Sequence, residues 1–158
     1  MRVGIGYDIH ALKKGRRLVL GGITIPFSKG LLGHSDGDVL LHAIVDATLG
    51  ALGAGDLGGH FSDRDPRYKN VDSLLFVEKV KKLLRRQKLK IENIDSTVIA
   101  QEPTLCAYKQ RMRAKIARAF GIEAARVSVK AKTNEGFGEI GRKQAIACFA
   151  VVGLMKGS

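Results

Sequence analysis

Large apolar side chains recur at every second position from Val3 to Ile9, the pattern of a strand. Two further short runs, Arg17 to Leu20 and Ile23 to Phe27, meet at Gly21-Gly22, a pair suited to a tight hairpin. The period then changes to that of a helix. From about Asp36 to Leu52, the residues Leu40, Leu41, Ile44, Val45, Thr48, Leu49 and Leu52 share one arc, and Ser35 or Asp36 is placed to cap the first turn. Gly53 to Pro66 is rich in glycine and acid, has neither period, and predicts a long loop of the functional kind. Asp72 is expected to cap a second helix whose buried side is Leu75, Val80, Leu83 and Leu84. A strand from Ile94 to Ala100 follows, then a third helix with Pro103 at its first position, Met112, Ile116, Ala119 and Phe120 as its stripe, and Gly121 as its stop. Strands at Val127 to Ala131 and Gln144 to Met155 flank a second glycine-rich loop, Lys132 to Arg142. This order predicts one α+β domain over residues 1–158, a sheet with its helices packed on a single face. The last strand is so apolar that the uncovered face is expected to be buried in a symmetric oligomer.

Composition narrows this picture. A chain of 158 residues with 45% hydrophobic residues can bury a proper core. Cys106 and Cys148 form neither a C-x-x-C pair nor a disulfide framework, which indicates reduced thiols. Met1-Arg2-Val3-Gly4 leads straight into a strand, without a signal or transit peptide, and no apolar run is long enough to span a bilayer; a cytoplasmic protein is expected, with no membrane partner. The formal charge of +12 favours anionic partners in general. Its residues cluster at Lys13 to Arg17, at Lys81, Lys82, Arg85 and Arg86, and from Lys109 to Arg118, mostly on the outer faces of two helices. No aromatic residues interleave them as a base-stacking surface requires, and no nucleic-acid motif is present. A basic nucleic-acid-binding module is therefore only the non-enzyme alternative.

The candidate chemistry lies in two segments. His42 has Asp38 and Asp46 one helical turn away on either side, an arrangement that orients a metal-binding imidazole through its second nitrogen. In Asp8-Ile9-His10, strand alternation puts the carboxylate and the imidazole on the same side. Together they make an Asp/His/His set, and three such ligands with one open position are the usual holder of catalytic zinc. A zinc-dependent phosphoesterase suits the same set and is the enzyme alternative.

Asp8-Ile9-His10, Gly33-His34-Ser35-Asp36-Gly37-Asp38 with His42, Asp56 with Asp63 and Asp65, Ala100-Gln101 with Pro103, and Thr133-Asn134-Glu135 through Gly141-Arg142 occur in the order and at the intervals of a known family. Over essentially its whole length the chain resembles the 2-C-methyl-D-erythritol 2,4-cyclodiphosphate synthases. That resemblance implies a four-stranded mixed sheet with helices on one side, plus the small hairpin, in a homotrimer with active sites between subunits. It implies a lyase of the non-mevalonate isoprenoid pathway, which turns 4-diphosphocytidyl-2-C-methyl-D-erythritol 2-phosphate into the cyclic diphosphate and CMP. By the same resemblance Asp8, His10 and His42 hold zinc or another divalent transition metal, and Glu135 holds Mg2+ or Mn2+ on the diphosphate. His34 and Thr133 position phosphates and stabilise the transition state.

Substrate contacts carried over in the same way fall into three groups. Asp8, Ile9, His10, His34 and Ser35 lie at the metal. Asp56, Leu57, Gly58, Phe61, Ser62, Asp63, Arg64 and Asp65 grip the methylerythritol portion. Ala100, Gln101, Glu102, Pro103, Thr104, Leu105 and Cys106 form the cytidine pocket, with Lys132, Thr133, Asn134 and Glu135 near the diphosphate. Arg142 matches a residue of the trimer's central cavity, where an anion such as an isoprenoid diphosphate can sit. Lys132, Thr104, Glu139 and Phe149 depart from the family pattern, the last standing where an acid is familiar.

Overall fold

The computed structural model describes residues 1–157. Five strands form one mixed sheet in the order β4-β1-β7-β5-β6: β1 is Arg2–Lys14, β4 Lys29–Leu31, β5 Leu89–Ile99, β6 Val127–Lys132 and β7 Ala145–Lys156. Among the described residues only the β5–β6 pair is parallel. The hairpin β2 (Leu18–Leu20) and β3 (Ile23–Ile25) forms a separate two-stranded sheet, and its turn residues Gly21 and Gly22 both have positive φ, as a primed turn requires. The α+β class therefore holds, with five strands in the main sheet rather than four. The extra strand, β4, is too short to show a period and is fixed by main-chain pairing of Leu12, Lys13 and Lys14 with Leu31, Gly30 and Lys29. β1 and β5 also run further than their alternation suggested.

The helices are α1 (Val39–Leu52), α2 (Leu57–His60), α3 (Leu74–Arg86), α4 (Lys109–Phe120) and α5 (Gly138–Gly141). Asp38, not Ser35 or Asp36, caps α1: its carboxylate accepts from the Leu41 N–H and also from Gly21 and Gly22, tying the hairpin turn to the helix. Gly53 and Gly121 end α1 and α4 in the left-handed conformation. In α3 the buried side is Phe76, Val77, Val80 and Leu84, so Leu75 faces outward, and in α4 Ala117 rather than Ala119 joins Met112, Ile116 and Phe120. Pro103 does not start α4. It follows a cis peptide bond in a turn that precedes a short 3-10 turn, Cys106–Tyr108, and the helix begins at Lys109. The expected loop from Gly53 to Pro66 contains one helical turn, α2, capped by Asp56 through the Gly59 N–H.

Twelve of the fourteen residues of α1 are buried, so it is enclosed on nearly every side rather than amphipathic. It lies directly on β1. A Cβ at Gly4 would sit 2.0 Å from the Ala47 carbonyl oxygen, and one at Gly6 2.0 Å from that of Ala43, so only glycine allows the approach. Two strand residues advance about 6.7 Å and four helical residues about 6 Å, so the contacts stay in step along the antiparallel pair. The next positions on that face of β1 are Asp8 and His10, and the next on α1 is the turn that bears His42. The opposite face of the sheet is uncovered: Val3, Ile5, Tyr7 and Ile9 of β1 and Phe149 and Val151 of β7 are all more than a third exposed. Tyr7 and Phe149 pack ring on ring there at 4.7 Å.

Candidate metal centre and active site

One oxygen of Asp8, Oδ2, lies 2.9 Å from His10 Nε2 and 2.9 Å from His42 Nδ1, and the two ring nitrogens are 3.1 Å apart. The hydrogen-bond partners behind each ring fix its tautomer. His10 Nδ1 is 2.7 Å from the Leu32 carbonyl, which only accepts, so Nδ1 carries the hydrogen and Nε2 faces inward. His42 Nε2 contacts Ser73 Oγ at 2.8 Å and Ser35 Oγ at 3.1 Å. The Ser73 hydroxyl donates to Asp36 Oδ1, so Ser73 receives the Nε2–H of His42 and leaves Nδ1 as the inward lone pair.

Two nitrogen lone pairs and a carboxylate oxygen thus face one another at about 3 Å, an arrangement that repels unless a cation or a proton sits between them. These distances approach the roughly 3.3 Å between ligands of a tetrahedral zinc. The donor set therefore fits a divalent metal, and the three residues form a group able to hold one. Burial alone would raise the Asp8 carboxyl, but hydrogen bonds and charge from His10 and His42 outweigh it and hold it at about 2. Burial alone would lower His10, yet Asp8, the Leu32 carbonyl and Asp38 raise it.

The expected orientation of His42 by Asp38 and Asp46 is not what the structure shows. Asp38 is spent on backbone N–H groups of the hairpin turn and α1, and Asp46 accepts from the Leu57 N–H. Ser73 and Asp36 do that work instead. Ser73 follows Asp72 at the start of α3, and only the packing of that helix against α1 reveals its role. Asp72 does accept from the Leu74 N–H, which frees the Ser73 hydroxyl from capping. The loop between β4 and α1 that carries His34 and Ser35 is held by Arg16, which donates to the carbonyls of Leu31 (2.7 Å), Ser35 (3.0 Å) and Gly33 (3.5 Å).

These ligands border a cavity of about 250 Å³, lined also by His34, Ser35, Leu57, Phe61, Asp63, Tyr68 and Phe76. Tyr68 and Phe76 were not foreseen; the only signal for them was a pair of aromatics in an aromatic-poor chain. His34 Nε2 donates to the Asp65 carbonyl at 3.1 Å, which draws the 61–68 segment over the site. The Asp65 carboxylate is gripped by Arg67, whose hydrogen bonds hold it at about 2, so it does not face the cavity. Asp56 is spent on its cap, Ser62 Oγ accepts from the Arg64 N–H, and neither Gly58 nor Arg64 lines the cavity. The Ile9 side chain points to the uncovered face of the sheet, because it is one residue out of phase with Asp8 and His10.

A second cavity, of about 230 Å³, is lined by Ala100, Gln101, Pro103, Thr104, Leu105, Cys106, Lys109, Ala131, Lys132 and Thr133. Registers across the sheet place residues 9, 147, 99 and 132 in one row, so both cavities open at the same end of the sheet, three strand spacings or about 14 Å apart. Within one chain they do not merge. Glu135 and Asn134 line neither; Glu135 accepts from the Thr133 hydroxyl and has a left-handed φ of 49°. Glu102 pairs with Lys29 and Lys143, and Arg142 with Glu139.

Fold and donor set together define a class, an α+β domain with a candidate catalytic metal centre beside an open pocket. The YgbB family profile matches residues 1–155, and the chain belongs to that family. It is 57% identical over 152 residues to a 2-C-methyl-D-erythritol 2,4-cyclodiphosphate synthase of Syntrophomonas wolfei, covering 96% of this chain and 97% of the relative. Among solved structures it resembles IspF of Plasmodium falciparum in complex with CDP, at a TM-score of 0.87 and 38% identity, over 99% of this chain and 97% of that one. It also resembles the bifunctional IspDF of Campylobacter jejuni, at a TM-score of 0.93 and 40% identity; 98% of this chain is covered, and it spans 42% of that longer protein. Among the described residues, no helix is long and apolar enough to cross a membrane.

Proposed function

We propose that this chain converts 4-diphosphocytidyl-2-C-methyl-D-erythritol 2-phosphate into 2-C-methyl-D-erythritol 2,4-cyclodiphosphate and CMP. The observation that carries the reading is the Asp8/His10/His42 donor set, open on one side to a pocket, in a chain 57% identical to a synthase of that name. The phosphoesterase and nucleic-acid alternatives find no support in the relatives.

In this reaction the 2-phosphate attacks the β-phosphorus, a new P–O–P bond forms, and CMP leaves with the electron pair of the broken bond. Both reacting groups are anionic, so the protein must bend the substrate and offset the repulsion, which calls for positioning and electrostatics rather than a nucleophile. Asp8, His10 and His42 would hold a divalent ion, which would supply Lewis-acid charge to the phosphates. His34 lines the same pocket, where its Nε2 holds the 61–68 segment over the site through the Asp65 carbonyl, and Asp63 accepts from a hydroxyl of the methylerythritol portion. The second cavity takes the cytidine; it supplies Lys132 as a cation and, from the turn at Ala100 to Cys106, backbone groups for the base edge. The CDP complex of the Plasmodium relative supports a cytidine nucleotide as ligand. Thr133, at the rim of the second cavity, and Glu135, which accepts its hydroxyl, would hold the diphosphate, with the Glu135 carboxylate as the ligand that would keep an Mg2+ or Mn2+ there.

Since the two cavities stay apart in one chain, the working site forms where the metal cavity of one subunit meets the nucleotide cavity of the next, in a homotrimer. The exposed apolar strip of β1 and β7 supports that assembly, because isolated domains seldom leave such a surface wet. Arg142 would face the central channel and hold an anion, such as an isoprenoid diphosphate, once freed from Glu139. A cytoplasmic location fits the pathway.

Phosphorus NMR of the protein with the proposed substrate is expected to show CMP and a cyclic diphosphate growing together. Release of inorganic phosphate instead would support the phosphoesterase. His42→Ala is expected to lose bound zinc and turnover at once; a variant that is active without metal overturns the ligand assignment.

A further inference from the structure

The 57–68 segment forms one wall of the metal cavity, yet it owns little regular structure: one turn of α2 and a 3-10 turn at Pro66–Tyr68. Its inner side is aromatic. Phe61 stacks on Phe76 of α3 at 4.6 Å, and Tyr68 meets both edge-on, at 5.7 Å to Phe61 and 5.9 Å to Phe76. Phe76 in turn touches the His42 ring at 5.8 Å. The cluster thus links the segment to the metal ligand.

One α3 cation closes this cluster from outside. Lys79 Nζ lies 4.4 Å from the Tyr68 ring centre and 5.5 Å from that of Phe61, and donates to the Tyr68 hydroxyl at 2.7 Å. It lies outside the cavity lining, so it does not touch what the cavity binds. An ammonium held by two ring faces and a phenolic oxygen is a directional tie, unlike a surface ion pair. The other ties of the segment are sparse: His34 to the Asp65 carbonyl, His60 to the Ala54 carbonyl, and Asp46 to the Leu57 N–H.

From these contacts we infer that Lys79 is a positioning residue: it clamps the Phe61/Tyr68 wall onto α3 and so sets the cavity's affinity for the methylerythritol end of the substrate. The reading of that substrate rests on the proposed function; the clamp itself does not. When the clamp is lost the segment spends part of its time off α3, and the substrate must reorder it on binding. Binding weakens while the metal centre, fixed by β1 and α1, keeps its chemistry.

Lys79→Met keeps the aliphatic stem and removes the charge and the donor. It is expected to raise KM about tenfold, from loss of the two cation–π contacts and one hydrogen bond, with kcat within about twofold. Arg64 and Arg67 provide an independent reading, since both lie on the segment and both are trypsin sites. Cleavage there, followed by mass spectrometry under native conditions, is expected to speed up severalfold in Lys79→Met, with an unchanged far-UV spectrum and zinc content. Lys79→Arg, which restores a ring-stacking cation, is expected to recover both readouts. Unchanged cleavage at Arg64 and Arg67 overturns the clamp. Faster cleavage with a lowered kcat and unmoved KM overturns its role in substrate affinity. Faster cleavage in a protein that makes no cyclic diphosphate sinks the substrate reading and leaves the clamp standing.

Discussion

Replacing Gly6 by Ala tests the packing that builds the metal centre. An added Cβ would lie 2.0 Å from the Ala43 carbonyl oxygen and 2.7 Å from the Ala47 nitrogen, where ordinary contact begins at 3.4 Å. Both atoms are backbone, so no rotamer change relieves the clash; α1 must retreat from β1 by about 1.4 Å. Overpacking a core usually costs about 1–3 kcal/mol, and a clash with a buried helix backbone belongs at or above the upper end, so we expect about 3 kcal/mol or more. The retreat carries His42 with it. With His42 displaced by more than 1 Å from the Asp8/His10 pair, the proposed ligand set no longer meets the roughly 2.0–2.2 Å bond lengths that zinc would need.

Gly50→Ala, in the same helix, is the matched control. Its nearest neighbour would be 3.9 Å away, so there the substitution is expected to stabilise by about 0.5–1 kcal/mol through helix propensity and unfolded-state entropy. Urea unfolding gives both energies, and zinc per chain by elemental analysis gives the second readout. A Gly6→Ala protein within about 1 kcal/mol of the parent, with full zinc, would refute the claim that this contact fixes the site.

Ser73→Ala leaves His42 Nε2 without its main acceptor and frees the ring to turn; zinc affinity is expected to fall about 10- to 100-fold in a chelator competition, with little loss of fold. The metal-free protein should be most stable between about pH 4 and 6.5 as far as Asp8 and His10 decide it. Asp8, held at about 2 against an ordinary 3.8, contributes stability above that ordinary value that is lost as pH falls toward 2. His10, raised above 6.5, contributes stability below that value that is lost as pH climbs through its raised value. Thermal melts of metal-free wild type and His10→Ala across this range measure it, and parallel curves would contradict the pairing. Ile5→Asp, a charge at a residue that is 69% exposed in the single chain, is expected to break the proposed trimer in sedimentation velocity without unfolding the domain; a trimer that survives it would place the interface elsewhere.

The chain spells out its local choices. Alternation marks β1 and puts Asp8 and His10 on one side, Gly21-Gly22 marks the hairpin, and Gly121 ends α4, because each depends on neighbours a few residues away. Motif order was enough to indicate the family. Gly4 and Gly6 share the phase of Asp8 and His10, but only the packing reveals that α1 lies against them.

What tertiary structure decided is who stands behind each ligand. Helical spacing offered Asp38 and Asp46 to His42, but α1 is enclosed on nearly every side, and in such a helix the spacing cannot say which neighbour fills which gap. Asp38 went to the hairpin turn, Asp46 to the start of α2, and the imidazole was left to Ser73 and Asp36, residues about 31 and 6 positions away in sequence. The short strand β4, the aromatic wall under Lys79 and the separation of the two cavities have the same origin. Each arises from contacts between segments remote along the chain, where packing rather than period selects the partner.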